Sequence, residues 1–79
     1  MNDAEKLSQE IDRLAADPDT QELVKTIESG IKTTQGNYGL YMSFLSGIKD
    51  KNARLIMSKV FIRAGANPSG VNAAMKIIG

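Results

Sequence analysis

Seventy-nine residues with a net charge of +1 make one domain at most, near the size at which a single core supplies only about 3–5 kcal/mol. The absence of both cysteine and histidine excludes disulfides, zinc fingers, redox pairs and haem attachment. Charge is segregated: residues 1 to 39 hold eight carboxylates against four cations, a net of −4, while residues 40 to 79 hold six cations against Asp50, a net of +5, and a field divided in this way bears on partners.

The chain then reads as a succession of helices. Asn2 or Asp3 can cap the first, which places Leu7, Ile11, Leu14 and Ala15 on one stripe at helical spacing. It ends before Asp17-Pro18, because the residue preceding a proline is pushed out of the helical region. Residues 1–16 carry charges throughout, unlike a secretory signal, and the longest uncharged run, Thr33 to Ile48, is too short to span a bilayer. The expectation is a cytoplasmic protein with no membrane partner. Asp17 caps the second helix, with Pro18 in its first turn and with Asp19 and Glu22 near the positive end of its dipole. Leu23, Val24, Ile27 and Ile31 form its expected buried stripe, so residues 1–32 read as an acidic helical hairpin.

A local echo follows, since Leu23 to Lys32 and Leu40 to Lys49 share a leucine, an apolar residue four later and then Ser-Gly-Ile-Lys. Gly30 and Gly47 can take the left-handed conformation that ends a helix, with Ile31 and Ile48 folding back, which closes the second helix near Ser29 and the third near Ser46. The alternative is a glycine kept inside a helix, at about 1 kcal/mol relative to alanine. Residues 33–37 form a polar, flexible connection. The third helix starts near Tyr38 and is uncharged, with Leu40, Tyr41, Phe44, Leu45 and Ile48 on one side and Gly39, Ser43 and Gly47 on the other. A helix that is apolar or small all round belongs in the middle of a domain, and its small side would let a neighbour approach closely. Tyr41 and Phe44 are expected in the core, and Tyr38 is the aromatic expected to be exposed.

Asp50 caps the fourth helix, which runs from about Lys51 to Ala64 and is closed by Gly65. Ala53, Ile56, Met57, Val60, Phe61 and Ala64 cover one broad face. Leu55 and Ile62 lie seven residues apart on the opposite side, among Lys51, Arg54, Ser58, Lys59 and Arg63, which is the pattern of an apolar contact with a charged rim. Asn67-Pro68 opens a fifth helix that buries Val71, Ala74, Met75 and Ile78, completing a basic helical half over residues 38–79.

Val60-Phe-Ile-Arg-Ala-Gly-Ala-Asn-Pro-Ser-Gly-Val-Asn-Ala-Ala-Met resembles the helix-turn-helix of LacI-type repressors, whose signature runs Ala-Gly-Val-Ser-Pro-Ser-Thr-Val-Ser-Arg-Ala-Leu. The likeness covers sixteen residues and rests on a turn glycine with Val60, Ala64, Ala66, Val71 and Ala74 at the apolar positions. Phe61, Gly70 and Ala73 depart from it. The resemblance implies a fifth helix that enters the major groove, with Ser69, Asn72 and Lys76 facing bases and Lys59 and Arg63 near phosphates. A helix stopped by Gly65 and another started by Asn67-Pro68 accounts for the same residues without nucleic acid.

No catalytic constellation can be assembled. A hydrolytic triad without histidine would need a lysine base, and nothing surrounds any Ser-Lys pair to make one. The carboxylates fall at the spacings of a solvated helix surface, and Ser-Gly-Ile-Lys lacks the glycine-rich run of a phosphate loop. No enzyme, metal or cofactor is expected. The fold class is all-α, a compact bundle of four to five short helices in a single domain over residues 1–79. The function expected is a small non-enzymatic protein-interaction module, an adaptor, inhibitor or structural subunit of the kind that viral or mobile-element genomes encode. Its partner is another protein or a second copy, docked through Lys51, Arg54, Leu55, Lys59, Ile62 and Arg63, with the acidic hairpin of one copy against the fourth helix of the next. Nucleic acid, bound through Lys59, Arg63, Ser69, Asn72 and Lys76, is the alternative partner, and no residue points to a small-molecule ligand.

Overall fold

Asparagine and aspartate start four of the helices. In the computed structural model, which describes residues 2–34 and 38–79, Asn2, Asp17, Asp50 and Asn67 each accept a hydrogen bond from a backbone N–H two or three residues on, at 2.8 to 3.2 Å. Each cap contributes about 1 kcal/mol by satisfying a donor that the helix itself leaves open. The elements that result are α1 (Asp3–Ala16), α2 (Pro18–Thr33), α3 (Gly39–Ser46), α4 (Lys51–Arg63) and α5 (Pro68–Ile78), with no strand among the described residues. Pro18 and Pro68 occupy first-turn positions, where a missing N–H costs nothing.

The ends differ more from expectation than the starts. Gly65, at φ +109°, closes α4 with the paired bonds of a left-handed cap, Ala66 N–H to Phe61 C=O at 2.9 Å and Gly65 N–H to Ile62 C=O at 3.1 Å. The two echo glycines do not behave this way. α2 runs through Gly30 to Thr33 instead of ending at Ser29, and the hydroxyls of Thr33 and Thr34 both fold back onto the Gly30 carbonyl. A Cβ on Gly30 would lie 2.6 Å from Leu40 Cδ1, so this glycine lets the tip of that α3 side chain rest on α2. α3 does end at Ser46, but Gly47 is right-handed at φ −71°; the stop comes from Gly47 and Ile48 N–H bonds to Phe44 and Leu45 carbonyls. The connection expected at residues 33–37 lies largely outside the described residues.

The main core gathers Val24, Ile27 and Ile31 of α2, Tyr41 and Leu45 of α3, Phe61 of α4, Ala66, and Val71 and Ala74 of α5. Tyr41 and Phe44 both pack their rings against Phe61, with centroids 6.1 and 5.4 Å away. α3 is central, as its composition implies, and packs on α2, α4 and α5. A second, smaller cluster joins Ile11 and Ala15 of α1 to Val60 of α4. α1 therefore lies along α4 more extensively than along α2, and the acidic hairpin is not a self-contained unit. The protein is an all-α bundle, with five short helices among the described residues, 43 × 27 × 19 Å.

Candidate interaction surfaces

α4 is covered on two sides within one copy of the chain. α1 lies on the Ile56, Val60 and Ala64 side, while Phe61 and Ile62 pack against the main core. Ile62 is half-buried and Ser58 is buried, its hydroxyl donating to the Leu55 carbonyl at 2.6 Å. Arg54 is turned inward: Nε and Nη2 both donate to the Ile48 carbonyl, at 2.9 and 2.8 Å, which ties the α3–α4 connection. Arg63 pairs with Asp12 across the α1–α4 contact. The six residues proposed as one docking stripe are thus divided: Arg54 and Ile62 are turned inward, Arg63 is exposed but tied to Asp12, and Lys51, Leu55 and Lys59 stand together in the open, Leu55 at 47% exposure. The expectation that a single copy cannot hide both apolar sides fails at Ile62 and holds at Leu55. Periodicity marks both residues as lying off the main stripe but does not reveal that α1 and the core would wrap so much of the helix.

The larger apolar surface is on α3. Leu40 and Phe44, one turn apart, are 39% and 41% exposed and border a groove of about 580 Å³ lined also by Thr26, Ile27, Gly30 and Ser43. On the other flank of α3, Tyr38, Gly39, Met42, Ala73, Ala74 and Ile77 surround a hollow of about 340 Å³, with Ile77 70% exposed. Among the described residues no charged side chain lines either depression. The side of α3 that carries Ser43 and Gly47 faces outward and is not covered by another helix, contrary to the expectation of close packing there. The aromatic assignments are reversed as well. Tyr38 is half-buried over Gly70, whose added Cβ would lie 2.4 Å from Tyr38 Cδ1, and Phe44 is the exposed ring. Tyr41 and Leu45 take the inward positions, and Leu40 and Phe44, rotated by one residue, do not. An uncharged helix gives its sequence no marker for which apolar pair faces in.

Tyr41 is fully buried and donates its hydroxyl to Glu28 Oε2 at 2.8 Å, and burial, then this bond, hold the phenol well above its ordinary value. The Arg13 hydrogen bond holds the exposed Glu10 carboxylate below its usual range. Among the described residues no group of three acidic side chains is placed to hold a metal ion, and no helix is long and apolar enough to cross a membrane.

The α4–turn–α5 segment places Ser69, Asn72 and Lys76 on the exposed side of α5, with Lys59 and Arg63 exposed on α4. Two of its departures from the repressor pattern have packing explanations: Phe61 fills the core and Gly70 makes room for Tyr38. What these features define is a class, a small all-α bundle of short helices. Comparison with protein-family models, with curated proteins and with solved structures finds no match for the chain.

Proposed function

We propose that the protein is a small non-enzymatic interaction module of the cytoplasm that associates with a second copy of itself through the outer face of α3. The observation that carries this reading is the pair Leu40 and Phe44, large apolar side chains left open beside an uncharged groove. Large apolar side chains that stand together in the open beside a hollow without charge form the kind of surface that contact sites use. A second copy suits the face because it presents projecting side chains and a hollow side by side, the condition for an isologous contact across a twofold axis. Light scattering across a concentration series in high salt tests it. The wild type should pass from monomer to dimer, and Leu40→Ser/Phe44→Ser should stay monomeric with its helical content kept, at a lower melting temperature because Phe44 also packs on Phe61. A wild type that remains monomeric throughout, or a variant that dimerises equally well, would end the proposal.

A second reading is favoured by one specific arrangement. Gly65 turns α4 into α5 while Ser69, Asn72 and Lys76 all point away from the core, as a base-reading helix would require. Under it, duplex DNA binding measured by fluorescence anisotropy should weaken steeply as salt is raised, and Lys76→Ala should lower the slope by about one. Binding that is absent at low salt removes this reading.

A further inference from the structure

Two helices repeat one pattern in opposite charge. On α4, Lys51, Leu55, Lys59 and Ile62 follow each other along one edge; on α1, Asp3, Leu7, Glu10 and Leu14 do the same. Each edge has two aliphatic residues seven apart, with one charge four residues before the first and another between them. Leu7 is 40% exposed and Leu55 47%, Leu14 and Ile62 are half-buried, and the four charged residues are exposed. Within one copy α1 meets α4 through Ile11, Ala15 and Val60, with Leu14 packed against that contact and Ile62 against the main core, which leaves Leu7 and Leu55 with their flanking charges outside it.

We infer that the acidic edge of α1 in one copy docks on the basic edge of α4 in another, leucine against leucine with the charges paired around them. The occupant is a second copy because the matching stripe belongs to the same chain. Isolated exposed leucines are ordinary, but a leucine with a carboxylate four residues before and three after, and a leucine with a lysine four residues on either side, are complementary in sign. Glu10 already shares its charge with Arg13, so Asp3 contributes the larger part of the acidic edge. Each copy has one edge of each sign. The contact therefore either closes on a twofold, with both pairs formed at once, or runs head to tail. This contact is separate from the α3 face and differs from it in kind, since charged rims are screened by salt and an apolar face is not.

Charge reversal tests it in the Leu40→Ser/Phe44→Ser background, so that failure of the α3 reading does not affect the outcome. In low salt that protein should associate, and about 0.5 M salt should weaken the association roughly tenfold. Lys51→Glu/Lys59→Glu alone leaves two acidic edges, and Asp3→Lys/Glu10→Lys alone leaves two basic ones, so each should be monomeric by light scattering. An equimolar mixture of the two should associate again, because each then supplies the edge the other lacks. Helical content and melting temperature verify that both variants are folded. Variants that self-associate as their parent does, or a mixture that stays monomeric, overturn the inference.

Discussion

An added methyl group on Gly70 would lie 2.4 Å from Tyr38 Cδ1 and 2.6 Å from Cε1, a ring that cannot swing away without leaving its seat. Gly70→Ala should therefore cost about 1–3 kcal/mol in urea unfolding. At Gly30 the same group meets only the Cδ1 of the part-exposed Leu40, which can rotate outward, so Gly30→Ala should be close to neutral, the clash offset by about 1 kcal/mol of helix propensity. Tyr41 adds a pH dependence. Its folded-state pKa lies above the unfolded value of 10.0, so its contribution to stability is complete below that pH and declines as pH rises toward the folded value. Melting temperature should fall above about pH 10, and Tyr41→Phe should lessen that fall. Helix caps were legible in the sequence because Asx before a first-turn position has one purpose. The exchanged roles of Tyr38 and Phe44 were not, because the glycine that receives Tyr38 lies 32 residues further along the chain.

Between elements, the side chains that join helices matter unequally. The Arg54 guanidinium makes two bonds to the Ile48 carbonyl, so Arg54→Ala should cost about 1.5–3 kcal/mol and loosen the α3–α4 connection. The Asp12–Arg63 pair is exposed, and Asp12→Ala should cost at most about 1 kcal/mol. Ile11, 5% exposed and seated on Val60, should cost about 2–5 kcal/mol when cut back to alanine, so apolar contact rather than the ion pair holds α1 in place. Element starts, the Gly65 stop and the buried stripes of α2 and α5 followed from spacing. The place of α1 did not, because a stripe says which residues are hidden and not which helix hides them. For the same reason Leu55 and Ile62 looked alike in sequence, yet the core takes one and leaves the other.

Across the whole molecule, the charge division read from the sequence is partly spent inside the fold, where acidic α1 lies on basic α4. What remains outside is the pair of charged edges and the neutral face of α3, which respond to salt in opposite ways. The two hydrophobic clusters are linked only at their margins, since Met57 and Ala64 pack against both. α1 rests on the smaller one. Amides of residues 6–16 should then exchange with deuterium through an opening that costs less than global unfolding, while those of α3 and α5 await the whole chain. A binder that grips the first helix would be pulling on a hinged flap, able to lift it and bare Val60 while the other four helices keep their fold.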